Sequence, residues 1–304
     1  MEIYEKNVLL PLKLITYYNT QHLNNISLML LEFVHWNVNP EIFHLNLQGL
    51  HLGVLSVRWY GLLFAASFYF GYILFTKFFK IENVPLEVLD KLTIYMAVGT
   101  VLGARLGHCI FYEPDYYLSH PWEILFIWHG GLASHGAAIG IPLAIYFFSK
   151  NEKRNYLWTI DRVVITVALA GFFIRTGNLM NSEIYGIKTS LPWGFIFERA
   201  NEQFPMHPTQ IYEALAYLVI FGILLRLYYY YKGKPANGLL FSLFLIMVFG
   251  VRFIVEFIKN EQVDFEKGMT LNMGQILSIP LILLGCYILY NTLKKRKLNP
   301  GTTK

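Results

Sequence analysis

The chain has 304 residues, of which 55% are hydrophobic and only 15% are charged. Soluble domains carry roughly 25% charged residues, so this composition, with a mean hydropathy of +0.41, excludes an ordinary soluble domain and indicates a membrane protein. The net charge is +5, and the two cysteines, Cys109 and Cys286, lie in separate apolar runs, which excludes a disulfide framework or a zinc pattern. No metal and no other cofactor is therefore expected.

Seven apolar segments follow a less hydrophobic beginning. Residues 1–55 predict an extracytoplasmic or interfacial lead-in, because their apolar runs are shorter than the ~20 residues that cross a bilayer. The third segment contains several glycines, which often serve as packing positions in membrane helices. The sequence thus predicts an all-α polytopic membrane protein with seven transmembrane helices, at 58–79, 91–112, 128–148, 160–180, 208–231, 238–258 and 270–293.

Basic residues cluster on one side of the predicted membrane. They follow the first, third, fifth and seventh spans, whereas the opposite loops are mixed or acidic. Because loops rich in Lys and Arg stay in the cytoplasm, the C-terminus is predicted to be cytoplasmic and the N-terminus to lie outside. The predicted organisation is the lead-in, a seven-helix domain at 56–293 with an extracytoplasmic element at 181–207, and a basic cytoplasmic tail at 294–304.

The polar residues of the predicted spans share one depth, toward the outer leaflet. A proton or ion path would spread them through the bilayer, so a shared depth favours a chamber that opens to the outer leaflet and to water. The lack of an internal repeat also disfavours the alternative function, a transporter or channel for an anionic solute. The residues at this depth are Tyr60, Arg105, His135, Arg175, Asn178, Gln210, Tyr212, Glu213, Arg252 and Glu256.

The densest polar segment lies where the fourth span ends. If the helix continues there, Arg175 and Asn178 share one face with Ser182. A snorkelling arginine followed by helix caps is the simpler interpretation. Five polar groups together with two glycines favour a functional site instead, because such groups are costly near hydrocarbon. They are Arg175, Asn178, Asn181, Ser182 and Glu183, with Gly177 and Gly186.

Two further groups suit anion binding and proton transfer. Arg252 and Glu256 are spaced i, i+4, which predicts an ion pair that orients the guanidinium and leaves donors for a second anion. His135 lies among small residues and can move a proton near neutral pH, although a neighbouring carbonyl could equally satisfy it. The adjacent Ser134 indicates an intramembrane protease only weakly, since helix neighbours do not face each other. Gln210 also fits simple helix-start chemistry.

Together these segments resemble the prolipoprotein diacylglyceryl transferase family of bacterial inner-membrane enzymes. The family signature is Gly-Arg-x-Gly-Asn-Phe-x-Asn-x-Glu-x-x-Gly, and Ile174 and Leu179 replace its first glycine and its phenylalanine. Met206 and Val248 stand where the family usually has an arginine and often a tyrosine. The signature matches are Arg175, Gly177, Asn178, Asn181, Glu183 and Gly186, and the similarity covers roughly 35–290, including 58–61, 104–107, 130–140, 208–213, 252–257 and 274–278.

The resemblance implies a reaction and its partners. The diacylglyceryl group of phosphatidylglycerol would pass to the lipobox cysteine thiol of a preprolipoprotein, forming a thioether and releasing glycerol phosphate. The implied partners are phosphatidylglycerol, preprolipoprotein signal peptides with a lipobox cysteine, and membrane lipids, with no nucleic acid. The implied location is the bacterial inner membrane, with the active site facing the outer leaflet.

The resemblance and the chemistry of the side chains also suggest residue roles. Arg175 would bind the lipid phosphate or glycerol, Arg252 would stabilise the leaving phosphate, and His135 would accept the thiol proton. No metal ligand is implied. The expected substrate-binding residues are Arg175, Asn178, Asn181, Glu183, Gly186, Tyr60, Arg105, Gln210 and Glu256.

Overall fold

A computed structural model describes residues 33–46, 54–127, 130–260 and 269–298. Most of the predicted lead-in, namely 1–32 and 47–53, and the tail beyond Leu298 lie outside these residues. The described helices are α1 (Trp59–Ile81), α2 (Leu86–Phe111), α3 (Pro114–Ser119), α4 (Ser134–Asn151), α5 (Tyr156–Met180), α6 (Thr209–Tyr230), α7 (Leu239–Val255) and α8 (Met273–Leu298), with short 3-10 helices at Pro121–Leu125, Glu198–Ala200 and Glu256–Ile258.

Six helices are long and apolar enough to cross a membrane, and they match six of the seven predicted spans. They pack as a bundle in which α5 contacts α1 and α6, α6 contacts α7, and α7 contacts α8. The large apolar side chains of these helices face either the bundle core or its outer surface, as expected where hydrocarbon replaces water. The six are Trp59–Ile81, Leu86–Phe111, Tyr156–Met180, Thr209–Tyr230, Leu239–Ile258 and Met273–Arg296.

The third predicted span, 128–148, differs from the helix that the chain forms. Gly130 and Gly131 have φ values of +88° and +69°, so the backbone is left-handed there and α4 starts only at Ser134. The helix then runs to Asn151 through Lys150, and α4 is not among the helices long and apolar enough to cross a membrane. The count of seven spans is therefore not confirmed by length and composition.

Glycines bring α2 and α4 into direct backbone contact. A Cβ on Gly103 would lie 2.6 Å from the carbonyl oxygen of Gly136, and one on Gly140 would collide with the carbonyl oxygen of Gly99. Small residues spaced four apart allow this approach, and van der Waals packing then holds the pair together. The prediction that Gly136 and Gly140 are packing positions is confirmed, whereas the preceding glycines form the turn.

A buried ion pair closes one end of the bundle, which we call the base. Arg162 on α5 donates to both carboxylate oxygens of Glu82, from Nε at 3.0 Å and from Nη2 at 3.1 Å. The same guanidinium donates to the carbonyl of Gly233 at 2.8 Å, and the Tyr228 hydroxyl donates to Glu82 at 2.6 Å. These bonds join the loop after α1 to α5 and to the loop after α6.

Asp161 also fastens the base, but it caps a helix other than its own. Its carboxylate accepts the backbone N–H groups of Gly238 at 2.7 Å and of Phe241 at 2.8 Å, at the start of α7. The N-cap of α5 is Asn155, which accepts the N–H of Trp158. Asp161, at the start of α5 where a cap of that helix would be expected from sequence, is therefore a link between two helices, because only the fold brings the start of α7 beside α5.

Two small sheets, which an all-α class does not include, cover the opposite end. Strand β1 (Val34–Trp36) runs parallel to β4 (Phe195–Phe197), and β2 (Glu41–Asn46) pairs antiparallel with β3 (Val54–Arg58). The Trp36 indole donates to the carbonyl of Leu179 at 2.9 Å. The described part of the predicted lead-in is thus docked on the predicted extracytoplasmic element and on the end of α5.

We predict that Gly136→Ala destabilises the protein. A methyl group there would collide with the carbonyl oxygen of Gly103, and overpacking of this kind costs about 1–3 kcal/mol. Thermal unfolding in detergent should show a lower midpoint. Gly222→Ala is the matched control, because a Cβ on Gly222 meets nothing within 4 Å and alanine favours a helix. Equal midpoints for the two variants would contradict the proposed glycine contact.

Candidate active site

The signature segment closes on itself at the end of α5. The helix stops at Met180, and Ser182 and Ile184 adopt left-handed backbone conformations with φ of +54° and +62°. This turn carries Glu183 back toward the helix, where Asn178 donates to its carboxylate at 2.7 Å. Ser182 therefore does not extend the helical face, and Glu183 is an acceptor inside the site.

Amide groups orient both the arginine and the glutamate of this segment. Arg175 donates from Nη1 to the side-chain oxygen of Asn178 at 3.2 Å, so Asn178 bridges Arg175 and Glu183. Asn181 donates to the same Glu183 oxygen at 3.3 Å. Gln210, which is fully buried, donates to the Glu183 backbone carbonyl at 2.7 Å. Predicted substrate-binding residues from two segments thus meet at Glu183, the asparagines at its carboxylate and Gln210 at its backbone carbonyl.

Glu213 is the central carboxylate of a buried charge cluster. It is fully buried on α6 and lies 2.9 Å from Nε of Arg175. The Nζ atom of Lys259 lies 3.5 Å from the same Glu213 oxygen and 3.5 Å from Glu256. The Tyr217 hydroxyl adds a 3.5 Å contact with Glu213. The cluster therefore joins α5, α6 and the residues that follow α7.

Lys259 takes the partner that the spacing assigned to Arg252. Glu256 pairs with Lys259, and the expected ion pair between Arg252 and Glu256 is absent from the described residues. The reason is local, since the helix tightens to a 3-10 turn at Glu256–Ile258 and brings position 259 over the carboxylate. Burial, reinforced by Arg175, lowers the pKa of Lys259, while Glu213 and Glu256 oppose that shift.

Arg252 is consequently left without a carboxylate. Its Nε is buried, and within the described residues it has neither a hydrogen-bond partner nor an ion pair. Its charge still acts on Lys259, so it belongs to the same cluster. A half-buried guanidinium with unused donors is suited to an oxyanion, which it can bind with two parallel hydrogen bonds.

Close backbone contacts position the elements of the cluster. Gly186 donates its N–H to the carbonyl of His207 at 2.8 Å, and a Cβ there would collide with the carbonyl oxygen of Ile258. Ile187 donates to that carbonyl at 2.9 Å. These contacts hold the chain beside Lys259, so Gly186 positions this part of the site, and its predicted part in substrate binding stays a prediction.

The Tyr60 ring packs against Gly177, where a Cβ would approach the ring to 2.8 Å. Its hydroxyl interacts electrostatically with Arg175 and Glu183, so Tyr60 stands beside the cluster at the start of α1. It also lines an apolar cavity of about 610 Å³ that adjoins Ile174, the neighbour of Arg175. The site is therefore polar on one side of Tyr60 and apolar on the other.

Arg105 lies away from this cluster. It is 2% exposed and donates to the carbonyl groups of Glu123 at 2.5 Å, Ile124 at 2.9 Å and Gly130 at 2.7 Å. With these donors engaged, Arg105 holds the loop that precedes α4. His135 follows that loop in the first turn of α4 and is exposed. Arg105 thus positions the histidine's segment, and no hydrogen bond of the described residues engages His135.

Comparison with known proteins agrees with the resemblance. A family profile described as Prolipoprotein diacylglyceryl transferase matches residues 48–291. The chain belongs to this family. A phosphatidylglycerol–prolipoprotein diacylglyceryl transferase from Tolumonas auensis is 47% identical over 262 residues, or 86% of this chain and 98% of that protein. Relatives of the same name from Chloroherpeton thalassium and Bacteroides fragilis are 44% and 41% identical, covering 88% and 91% of this chain and 97% and 100% of theirs.

The family match includes every candidate site residue, and the chain is a transferase of this family. It is also a multi-pass membrane protein, with six apolar helices of sufficient length. The described residues contain no group of His, Cys, Asp and Glu side chains that could hold a metal ion.

Sequence reasoning missed Lys259, which follows an apolar run and resembles an ordinary interfacial lysine. Its spacing of i+3 from Glu256 was the available signal.

We predict that Lys259→Met destabilises the protein and that Glu256→Gln in the same chain partly reverses the loss. Removing the cation leaves Glu256 buried without a partner, and breaking such a pair costs about 3–5 kcal/mol. Neutralising Glu256 removes that penalty. Unfolding midpoints in detergent of the two single variants and the double variant test this. Additive losses in the double variant would contradict the pairing.

Proposed function

We propose that the protein transfers the diacylglyceryl group of phosphatidylglycerol to the lipobox cysteine thiol of preprolipoproteins. The cysteine sulfur attacks the glycerol carbon that carries the phosphate, the carbon–oxygen bond breaks, and glycerol phosphate leaves. A thioether forms and the thiol proton passes to a base. Family membership and the names of the relatives support this reaction, and the alternative of a transporter or channel for an anionic solute gains no support.

One observation carries the proposal: a buried cationic cluster directly adjoins an apolar cavity. Arg175 belongs to the cluster and its neighbour Ile174 lines the cavity, with Tyr60 between them. A lipid with an anionic headgroup has this same division between charge and hydrocarbon. A soluble anion would use only the charged part, so the joined arrangement favours phosphatidylglycerol.

The cations have different tasks in this proposal. Arg175 is held by Glu213 and Asn178, so its remaining donors are directed at the lipid phosphate or glycerol. Arg252 has no carboxylate among the described residues, and it stabilises the charge that develops on the leaving phosphate. Asn178, Asn181, Glu183 and Tyr60 shape the headgroup site. Positioning roles fall to Arg105, Gly186, Gln210 and Glu256.

His135 is the proposed base. It is exposed at the first turn of α4, and the residues before and after it, Leu132, Ala133 and Ala137, line the cavity. A free imidazole beside the lipid cavity can take the proton of a thiol, whose ordinary pKa is about 8.5. Since the nucleophile belongs to the lipoprotein, the protein needs no catalytic cysteine or serine of its own.

The proposed site faces the outer leaflet of the bacterial inner membrane, with the N-terminus outside and the C-terminus cytoplasmic. The loops rich in Lys and Arg lie at the base of the bundle, and such loops stay in the cytoplasm, so we place the base on the cytoplasmic side. Support for α4 as the seventh span comes from its contacts with α2. At the end of α4 near the base, Lys91 of α2 donates to the carboxylate of Glu152 at 2.8 Å. At the other end, the N–H of Ala133 donates to the carbonyl of Ala104 on α2. The helix thus runs along most of α2.

We expect Arg252→Ala to lower transfer about 10²–10³-fold, because one fixed donor at developing charge is worth about this much. The assay mixes purified protein, phosphatidylglycerol and a lipobox peptide, and mass spectrometry detects the diacylglyceryl mass on cysteine. A Cys→Ser peptide must give no product. Arg175→Ala should lose product similarly, whereas Arg296→Ala, at the exposed end of α8, should behave as wild type. Normal turnover of Arg252→Ala would remove the proposed role.

We expect His135→Gln to lose most activity at neutral pH and to recover part of it as pH rises. Above about pH 8.5 the thiol ionises without help, so the base is no longer needed. The measurement is the ratio of wild-type to variant transfer rate from neutral to alkaline pH. A ratio that stays constant would show that the histidine acts in some other way.

A further inference from the structure

The apolar cavity is long and lies between two pairs of helices. Its walls come from α1 and α5 on one side and from α2 and α4 on the other. One end lies at Tyr60 and Ile174, beside the cationic cluster. The other end lies at Phe75 and Leu89, near the base of the bundle. The cavity therefore leads from the proposed headgroup site into the depth of the protein.

The serine and threonine hydroxyls that line the cavity are already satisfied by backbone carbonyls. The hydroxyl of Ser67 donates to the carbonyl of Phe64 at 2.6 Å, and that of Thr166 donates to Val163 at 2.8 Å. Thr93 and Thr100 bond back to their own helix in the same way. The space consequently offers hydrocarbon surface with few free donors, which is the chemistry that an acyl chain fits.

The cavity is longer than one leaflet. It extends along α1 from Tyr60 to Phe75, which at 1.5 Å per residue is about 22 Å. The hydrocarbon core of a bilayer is about 30 Å thick, so one leaflet provides about 15 Å. A chain that filled the cavity would pass the midplane in contact with the four helices, along a lining that is partly open, since Phe64, Tyr72 and Val101 are 36–41% exposed.

The deep end is closed by the packed core. Phe75, Leu89 and Leu92 are at most 7% exposed and belong to the main hydrophobic cluster. Just above them, Gly71 faces Thr166, and a Cβ on Gly71 would lie 3.7 Å from the threonine Cβ. A larger side chain at position 71 would therefore enter the deep part of the cavity.

We propose that this cavity holds one acyl chain of the lipid substrate and that its closed end sets an upper limit on chain length. The proposal rests on the transferase function above. The cavity and the bilayer interior are equally apolar, so a chain gains little by moving from one to the other. Chains too short to fill the cavity should therefore be used nearly as well as chains that fill it. Chains that exceed the cavity must bend or withdraw, and the selectivity is consequently steric and one-sided.

Competition among lipids tests the limit. Wild type receives an equimolar mixture of phosphatidylglycerols with saturated chains from lauroyl to arachidoyl, plus the lipobox peptide, and product masses give the chain ratios. Gly71→Leu should shift the ratio toward short chains by about tenfold, in the range seen when apolar pockets discriminate methylenes. Gly222 on α6 faces open space, so Gly222→Leu should leave the ratio of chain lengths unchanged. Because the lipids compete in one tube, partial loss of folded enzyme does not alter the ratio.

A second substitution gives a graded readout. Ala170 lines the cavity on α5 one turn closer to Arg175 than Thr166, so Ala170→Leu should exclude chains that Gly71→Leu still accepts. Product with the wild-type ratio in both variants would overturn the proposed limit alone. Absence of product from every lipid with wild type would overturn the transferase proposal and, with it, the chain limit.

Lipids with two different chains test whether the cavity holds only one. Phosphatidylglycerols that carry a lauroyl and an arachidoyl chain in either order compete for wild type. A single-chain cavity predicts that one order is preferred, and that Gly71→Leu strengthens this preference. Equal use of both orders by wild type and by Gly71→Leu would overturn the single-chain assignment.

Discussion

The carboxylate of Glu213 is the group on which the site depends. It is fully buried and lies between Arg175 and Lys259, so one negative charge fixes cations from two remote parts of the chain. Buried charges lose their hydration, and a partner that repays this loss must stay in place. The same constraint holds α5, α6 and the end of α7 in register, which brings the signature segment to its working position.

Lys259 determines what Arg252 can do. Because the lysine pairs with Glu256, the guanidinium of Arg252 has no carboxylate partner among the described residues, and in the proposed mechanism its donors serve an anion that comes from outside the protein. A direct pair between Arg252 and Glu256 would instead compete with that anion. The cluster thus combines arginines with different restraints, and the apolar cavity beside Arg175 adds the hydrocarbon part of an anionic lipid's shape.

The two ends of the bundle are built for different purposes. At the base, Arg162 and Glu82 satisfy each other, and Asp161 caps α7, so these buried polar groups serve the fold. At the opposite end, several buried donors and acceptors have no hydrogen-bond partner among the described residues, including Nε of Arg252 and Oε1 of Gln210. Unsatisfied groups are costly in a protein interior. Arg252 and Gln210 belong to or adjoin the charge cluster, which agrees with a site that a substrate completes.

The sequence by itself determined the membrane class, six of the seven spans it predicted and the polar segment at the end of α5, because hydropathy and helical spacing are local properties. It also brought forward Arg175, Asn178 and Glu183, which contact one another within nine residues. Only the tertiary structure decided that Lys259 pairs with Glu213, that Arg105 holds a loop and that strands dock on the helices. Those contacts join segments far apart in the chain, and their geometry depends on packing angles that no local pattern encodes.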